Sequence, residues 1–520
     1  MAGRNAMHRR YRSCTQNITM MVSRRGNKGA MSRSLAFKDE YRGARMGKDF
    51  LRRLENHPPE LWYQGRRIEN VRESAQLKNG IETLAALYDY QWDRSDLMLE
   101  SIDGKQVSKS FSITKSRSDL LSVGKALLVG AEFSQGMLGR DPAYLNRAVA
   151  SFAGSADFFD IGGRSFSHNA RKYFRFVRDN DLALTHTILN PRANRRVGPA
   201  FQDDPTVSAH VTKETDAGIY VTGARLIATL PFADEIAVFP ARLLDVSDAS
   251  KPYAFAFVLP TCTEGLKFIC RESVDYGMGR KNHPLGARYE EMDAVAIFDN
   301  VLVPWERVFC YRDIDICNRF YDATGATAHI TYQVVCKNIV KIEFFLGLIS
   351  LMIRGSGLES FQHIHGKMAE VWAGWQTMKA FKLAAEAGAR PNDFGMLVPD
   401  WGPLEAARYL FPRMYPQIVE IVQQIGASGL VTLPMSQDLD GPMRGEIDKY
   451  FQGMRLEAEE KIDLYRLAWD ASISAFGGRQ VLYERFFFGD PVNMATRIFR
   501  NNPCSELMER VDNFIRDGHG

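Results

Sequence analysis

The chain has 520 residues, 45% of them hydrophobic and 25% charged, which is ordinary for a globular protein of several domains. Its net charge of +4 is uneven, because residues 1–38 hold nine Lys or Arg and no acid. The remainder is mildly acidic and offers no basic surface for nucleic acid, and no apolar run reaches the length of a membrane span. The seven cysteines are scattered without a CxxC pair. They indicate neither a disulfide framework nor a metal site, and they favour a reducing, cytoplasmic setting.

The basic segment at the start, residues 1–45, is interpreted as a disordered extension, because it is polar and rich in arginine. A transit peptide has a similar composition. Arg24-Arg25 also resembles a twin-arginine signal, but the apolar segment that such a signal needs does not follow.

Residues 46–182 are predicted to form an N-terminal helical domain. Apolar residues recur at helical spacing in 118–133, and aromatic and basic positions alternate in 165–178. A shorter helix is expected at 49–56, and Gln64-Gly65 marks a small hairpin.

The pattern changes to short strands between residues 183 and 310, and we expect a middle β-barrel domain there. Seven segments have strand composition with turn residues between them: 207–211, 218–222, 225–230, 236–239, 253–259, 266–271 and 293–303. Residues 311–520 are predicted to form a C-terminal helical bundle, with long apolar-periodic segments at 330–352, 361–387, 404–424 and 446–476.

Two segments carry candidate binding residues. Gly139 and Pro142 interrupt a helical region, so Arg140 and Tyr144 lie at a turn where a guanidinium and a hydroxyl could hold a phenolate oxygen. Taken alone, these residues favour a structural role, with Arg140 capping a helix and Tyr144 packed. His186 stands between a strand-like run and an Asn-Pro turn, and a lone histidine beside apolar residues is usually a core residue.

Three further segments carry candidate binding residues. Residues 213–231 form an ordinary hairpin pattern that ends beside Thr229. Gly477 and Gly478 either let a ligand approach the backbone or end a helix with Arg479 as its cap. Arg195 carries the positive charge that a bound pyrophosphate needs.

The segment 286–309 includes the strand-like run that ends at Pro304-Trp305. Together with the segments above, it resembles the large components of flavin-dependent phenol monooxygenases, the 4-hydroxyphenylacetate 3-monooxygenase family and its chlorophenol and phenol relatives. The resemblance covers residues 46–517 and implies an α+β, acyl-CoA-dehydrogenase-like fold and a homotetramer.

The resemblance also implies roles for individual residues. Arg140, Tyr144 and His186 would bind the phenol and carry the catalysis. The residues that would hold FAD are His186, Thr187, Ile188, Arg192, Arg195, Thr229, Ser474, Phe476, Gly477 and Arg479. Where hydroxyphenylacetate enzymes present a small polar pair to the substrate carboxylate, this chain has Ala241 and Arg242, which leaves the ring substituents open.

The expected activity is ortho-hydroxylation of a phenol to a catechol, with O₂ as co-substrate and FADH₂ as the diffusible flavin. No Gly-x-Gly-x-x-Gly fingerprint follows a strand, so a separate NAD(P)H:flavin reductase would supply the reduced flavin. The preferred substrate is 4-hydroxyphenylacetate-like, and chlorophenol, nitrophenol or phenol is the alternative. A flavin-binding protein without turnover is the alternative of another class. A 4-hydroxybutyryl-CoA dehydratase-like protein is rejected, because it needs cysteines where the chain has none between Cys14 and Cys262.

Overall fold

The computed structural model describes Phe37 and residues 42–191, 193–240 and 244–517. Most of the predicted extension, 1–45, lies outside the described residues. Its last residues do not fit that prediction, because Arg45 is buried and its guanidinium bonds Asp234 at 2.5 Å and Tyr88 at 2.9 Å. The packed chain therefore begins a few residues before the expected boundary.

The described chain opens with helices and two small hairpins. A capping box of Ser116 and Asp119 starts the helix at Arg117, and Asp141 followed by Pro142 starts the next one. The elements in order are α1 (Gly47–Asn56), β1 (Glu60–Tyr63), β2 (Arg66–Arg67), α2 (Lys78–Asp93), α3 (Ser95–Met98), β3 (Leu99–Ile102), β4 (Lys105–Ser108), α4 (Arg117–Phe133), α5 (Pro142–Gly154) and α6 (Ser167–Asn180).

One mixed sheet of ten strands follows, which also takes in β1 and β2. Its further members are β5 (Leu184–Leu189), β6 (His210–Thr215), β7 (Gly218–Ile227), β8 (Glu235–Val238), β9 (Phe255–Pro260), β10 (Leu266–Cys270), β11 (Ala294–Pro304) and β12 (Val308–Tyr311), with the short helix α7 (Gly279–Asn282) between β10 and β11. The strand order is β12-β9-β8-β5-β7-β11-β10-β1-β2, and β6 pairs with β7.

The sheet folds over on itself. Phe257 on β9 and Phe298 on β11 lie four places apart in the strand order, yet their rings meet edge to face at 6.0 Å. This curvature encloses a core, as the predicted barrel requires. Among the described strands, the two ends of the ladder, β12 and β2, are not paired with each other.

Helices dominate the rest of the chain. They are α8 (Ile314–Ala323), α9 (Ala326–Ser356), α10 (Gln362–Ala387), α11 (Trp401–Gly426), α12 (Arg444–Tyr450), α13 (Ala458–Ser472), α14 (Ala475–Phe486), α15 (Pro491–Asn501) and α16 (Ser505–Asp517), with a small hairpin of β13 (Arg390–Pro391) and β14 (Leu397–Val398) after α10. In the described part of the chain, no helix is both long and apolar enough to cross a lipid bilayer.

The α+β fold class is confirmed, but two local predictions are wrong and one hairpin was not predicted. The break expected between the predicted strands 218–222 and 225–230, a turn at Thr222-Gly223, lies inside β7, where Gly223 keeps the strand continuous at a φ of 112°. The predicted helix 446–476 is three helices, because the chain breaks before Ala458 and again after Ser472. The hairpin of β3 and β4 was not expected. The domain limits 46–182, 183–310 and 311–520 stay a prediction.

Helix α9 forms the centre of the helical part. Its first half is buried on every side, including polar residues, so these side chains must find partners inside the protein. His329 meets Arg147 at 3.0 Å, and Gln333 donates to Asp141 at 3.2 Å. The polar side of α9 therefore faces the turn that carries Arg140.

Candidate active site

The Arg140 turn, residues 138–141, joins α4 to α5. Asp141 caps α5 by accepting a hydrogen bond from the Tyr144 amide at 3.3 Å, which places Tyr144 in the first turn of the helix. The Gly139 and Arg140 amides both donate to Glu291 Oε1, at 2.9 and 3.0 Å. The backbone of the turn is thus held from both ends.

Tyr144 and His186 are brought together by the packing of α5 on the sheet. His186 lies in β5, which pairs in parallel with β8, and the His186 side chain is buried. Its imidazole centre is 5.4 Å from the Tyr144 ring and 6.0 Å from the ring of Phe239. The structure therefore places two of the three predicted catalytic residues in direct contact.

The guanidinium of Arg140 lies among aromatic rings. Its Cζ is 4.5 Å from the Phe487 centroid, 5.2 Å from that of Tyr483 and 5.6 Å from that of Tyr144. Two of its nitrogens, Nε and Nη1, are buried and have no hydrogen-bond partner. Burial alone would lower the pKa of Arg140, but the Tyr483 and Tyr144 hydroxyls and Glu291 outweigh it and raise the pKa. A buried cation with two free donors is suited to bind an anionic oxygen.

The imidazole of His186 is uncharged at neutral pH. Burial, and then the charge of Arg140, hold the pKa of His186 well below its usual value. A neutral imidazole can accept a proton, and its position beside Tyr144 and Arg140 puts that acceptor next to the free donors. Together the three side chains can bind a phenol, take its proton and hold the resulting phenolate.

Two residues predicted to contact the flavin, Thr187 and Thr229, lie beside this cluster. Thr187 Oγ1 donates to the Leu226 carbonyl at 2.7 Å, which ties β5 to β7. The Thr229 carbonyl accepts from Thr185 Oγ1 at 2.5 Å, so Thr229 is fixed next to the strand residue that precedes His186. Ile188, also on β5, is half-buried.

The start of α14 holds the second predicted flavin segment. Ser474 caps the helix by accepting from the Gly477 amide at 3.2 Å, and Phe476 is buried. A Cβ added to Gly478 would meet nothing within 4 Å, so the backbone is open to a neighbour there. Arg479 is fully engaged, because it bonds Asp293 at 2.7 and 2.8 Å and Glu291 at 3.2 Å.

Of the remaining predicted residues, the structure describes Arg195 alone, and it does not bring Arg195 into the cluster. Arg195 lies exposed in a turn after β5. Arg192, Ala241 and Arg242 lie outside the described residues, so their predicted roles are not addressed by the structure.

Sequence reasoning missed Glu291, Tyr483 and Phe487. Tyr483 lies in the last turn of α14 and Phe487 directly follows the helix, and both rings contact the Arg140 guanidinium. Helical spacing from Arg479 could have placed Tyr483 on the same face. The acids at 290 and 291 stand inside the segment 286–309, but no local pattern shows that they are buried.

The site fits a flavin on structural grounds. Asn190 Oδ1, just after β5, and Tyr483 Oη, on α14, are buried and have no hydrogen-bond partner. With the open backbone at Gly478, these atoms offer a ligand unsatisfied polar contacts and free space. A ligand that carries donors and acceptors along a flat ring would satisfy them.

Comparison with known proteins agrees with this geometry. The family model described as 4-hydroxyphenylacetate 3-hydroxylase N terminal matches residues 46–310, and the one described as 4-hydroxyphenylacetate 3-hydroxylase C terminal matches residues 317–516. The chain is 45% identical to the 4-hydroxyphenylacetate 3-monooxygenase oxygenase component of Thermus thermophilus, over 91% of this chain and 98% of the relative. The oxygenase component from a Geobacillus species is 39% identical, over 91% of this chain and 97% of the relative.

A solved structure is similar over nearly its whole length. The crystal structure of the oxygenase component of 4-hydroxyphenylacetate 3-monooxygenase complexed with FAD and 4-hydroxyphenylacetate superposes with a TM-score of 0.88 at 44% identity, covering 91% of this chain and 99% of that one. The two family matches together span most of the chain. The chain therefore belongs to the 4-hydroxyphenylacetate 3-hydroxylase family.

Proposed function

We propose that the chain is the oxygenase component of a two-component flavin-dependent monooxygenase that hydroxylates a 4-hydroxyphenylacetate-like phenol ortho to its hydroxyl, giving a catechol. The observation that carries this proposal is the Arg140 guanidinium, whose two unpartnered nitrogens are buried beside Tyr144 and a neutral His186. The membership of the family gives that arrangement its reaction.

The protein's part in the reaction begins with the proton of the phenol. A free phenol has a pKa of about 10, so most of it is protonated at neutral pH and its ring is a weak nucleophile. Arg140 lowers the pKa of the bound phenol by stabilising the phenolate, and His186 is the group that accepts the proton. Tyr144 donates its hydroxyl to the same oxygen and orients the ring.

When bound, reduced FAD supplies the electrons that activate O₂ for transfer of one oxygen atom to the ring. We assign the flavin site to His186, Thr187, Ile188 and Thr229 on the sheet side and to Ser474, Phe476, Gly477 and Arg479 at the start of α14. Arg192 and Arg195 are assigned to it by the resemblance. The rings of Tyr144, Phe239 and Phe487 cover the cluster and limit the access of water.

The side chain of the substrate is assigned to the segment that includes Ala241 and Arg242. An arginine there would pair with a carboxylate, which favours a phenolic acid such as 4-hydroxyphenylacetate. If Arg242 faces solvent, a neutral chlorophenol, nitrophenol or phenol is the second candidate.

The oxygenase works with a separate NAD(P)H:flavin reductase, and we infer that it does so as a homotetramer in the cytoplasm. The last two described helices support an assembly of this kind. Phe499 on α15 and Phe514 on α16 are each 80% exposed, and α16 has no buried residue. Large rings on two neighbouring helices are a surface that a second copy of the chain could cover.

The test combines the purified chain with a generic NADH:flavin reductase, FAD, NADH and a panel of phenols. Catechol formation from 4-hydroxyphenylacetate, with slower or no formation from 4-chlorophenol and 4-nitrophenol, is expected. The chain alone should oxidise no NADH. A chain that binds FAD but forms no catechol from any phenol would be a flavin-binding protein without turnover, and the proposal would be wrong.

A further inference from the structure

Glu291 is buried, and it bonds both the Arg140 turn and Arg479 at the start of α14. Its Oε1 accepts hydrogen bonds from the Gly139 and Arg140 amides at 2.9 and 3.0 Å. Its Oε2 accepts one from Arg479 Nη1 at 3.2 Å. Its main-chain carbonyl accepts a fourth from the Leu230 amide at 2.8 Å. One residue thus fixes the turn that carries Arg140 and the turn that follows Thr229.

These bonds determine where Arg140 can lie. The two amides have no helix of their own to satisfy them, and a carboxylate bonded to two amides is held more strongly than a neutral acceptor. On its other side, Gly139 touches the Tyr483 ring so closely that a Cβ added there would overlap it. The turn therefore has little freedom while Glu291 stays in place.

Arg479 completes a closed set of contacts. Its Cζ lies 5.2 Å from the Tyr483 centroid, and Arg140 Cζ lies at the same distance from that ring. Tyr483 thus contacts both guanidiniums, while Glu291 bonds Arg479 and the backbone of Arg140. Asp293 holds Arg479 from a second direction, at 2.7 and 2.8 Å.

We propose that Glu291 is a positioning residue for the hydroxylation, setting the Arg140 guanidinium against the phenol, and that Arg479 acts through it. The inference rests on the proposed function. Glu291 touches neither the phenol nor the flavin in this assignment; it acts by ordering the turn.

The adjacent acid provides a matched control. Glu290 is as deeply buried as Glu291 and also bonds an arginine, Arg271, at 2.7 Å. Its remaining bonds go to Val274, Ser273 and Met292, none of which belongs to the Arg140 turn. Loss of either carboxylate disturbs a buried ion pair, but only loss of Glu291 releases Arg140.

The experiment compares Glu291→Leu, Glu291→Gln and Glu290→Gln with the parental protein. Hydrogen–deuterium exchange of the peptide that contains Gly139 and Arg140 is measured without flavin or phenol. Binding of 4-hydroxyphenylacetate is measured by calorimetry, and catechol formation is followed from pH 6 to 10 with the reductase present.

We expect Glu291→Leu to speed exchange at these amides and to weaken phenol binding, each by about tenfold or more, the scale of leaving buried donors unsatisfied. The pH limb that reports phenolate formation should move to higher pH, because a displaced Arg140 stabilises the phenolate less. Glu291→Gln keeps an acceptor for both amides and should retain most of the order. Glu290→Gln should leave the exchange and the pH limb unchanged.

Parental exchange and an unmoved pH limb in Glu291→Leu would overturn the proposal. If that variant does not fold, Arg479→Met serves instead, since it removes the cation and leaves Glu291 on the turn. Because Arg479 is also assigned to the flavin site, its readout is the exchange of the Gly139 and Arg140 amides measured without flavin. Arg479→Met should speed exchange at these two amides, and parental exchange in that variant would count against the proposal. A parental protein that forms no catechol contradicts the proposed function, whereas a normal parent with unaffected variants contradicts only this inference.

Discussion

The ring centres of Tyr144 and His186 lie 5.4 Å apart with their planes tilted by 37°, although one residue comes from the first turn of a helix and the other from a central strand. The contact depends on α5 packing against β5. It brings a tyrosine ring that contacts the Arg140 guanidinium together with an imidazole whose pKa is lowered by burial and by that guanidinium. The site is therefore assembled from the boundary between the helical and β parts, and side chains from both parts are needed for it to act.

His186→Ala should lower the coupled rate of catechol formation by about 10²-fold or more, the scale for losing a positioned acid–base group. Hydrogen peroxide released per NADH consumed should rise, because the imidazole is assigned mainly to the phenol, so flavin binding loses much less than hydroxylation does. Oxygen uptake and product analysis measure both. His210→Ala is the control, since that ring lies on β6 and contacts Tyr253 rather than Tyr144, and the variant should change neither quantity. A parental rate in His186→Ala would make the histidine a packing residue.

Gly139→Ala should disturb the Arg140 turn, because the new methyl group would overlap the Tyr483 ring. Overpacking of this kind costs about 1–3 kcal/mol of folding free energy. Either the Arg140 turn or the Tyr483 ring must then move. We expect weaker phenol binding, a lower rate and a lower melting temperature. Gly163→Ala has open space around its Cβ and should match the parent in all three. Unchanged phenol binding in Gly139→Ala would show that the turn tolerates the shift.

Glu484→Gln should be strongly destabilising. The Glu484 carboxylate is shared by Lys337 and Lys341, each at 2.5 Å, and all three side chains are buried. Removing one member of a buried ion pair costs roughly 3–5 kcal/mol, because the remaining charges lose their partner. Denaturant unfolding measures the loss. Asp315→Asn removes an exposed pair with Arg319 at 3.0 Å and should cost less than about 1 kcal/mol.

The same carboxylate predicts a pH effect. Although burial opposes it, the two lysines lower the pKa of Glu484 to about 2. A depressed acid contributes stability above its unfolded pKa and loses it as the pH falls towards the folded value. Below about pH 4, the free energy of unfolding should therefore fall more steeply with decreasing pH in the parent than in Glu484→Gln. Equal acid slopes would contradict this.

Asp141→Asn should become the more stable form as the pH rises. Burial, the largest cause, raises the pKa of Asp141 to about 6, so between about pH 4 and 6 the folded state keeps a proton that the unfolded state has lost. Parental stability falls across that window and is then level. The advantage of Asn should therefore grow to at most about 3 kcal/mol by pH 6 and stay constant above it. Asn can still cap α5.

At the start of α4, Asp119→Asn should change the free energy of unfolding with the opposite pH dependence. Burial raises the pKa of Asp119, but the amides of Lys115 and Ser116 outweigh it and the pKa is lowered. The variant should be less stable than the parent at neutral pH, and the difference should vanish in acid. Melting curves of both variants from pH 3 to 8 test the pair. Parallel curves would show that neither carboxylate titrates as described.

Much of the fold was predictable from periodicity. The predicted helices 118–133 and 361–387 agree with α4 and α10 to within a residue or two, because apolar residues alone define a buried helical stripe. β5 was harder, since its alternation is weak and every residue from Leu184 to Thr187 is buried. A strand enclosed on both faces has no exposed side for a period of two to reveal.

The site was predictable only in part. Arg140 and Tyr144 are close in sequence, but nothing in the spacing places His186 beside them, and the prediction depended on the resemblance. Glu291 escaped notice because its role arises from burial and from three partners that are distant along the chain. Contacts of that kind are properties of the assembled fold, and no local pattern encodes them.

The parallel pairing of β1 with β10 has a consequence for how the protein is made. In this pairing, residues 60–62 of β1 lie opposite residues 267–269 of β10. One edge of β1 therefore has no partner until the ribosome has passed residue 270. Non-local pairings of this kind form slowly and leave strand edges open to aggregation. Chains released before β10 is complete would carry an unpaired edge at their start, and we expect such fragments to depend on chaperones for their recovery.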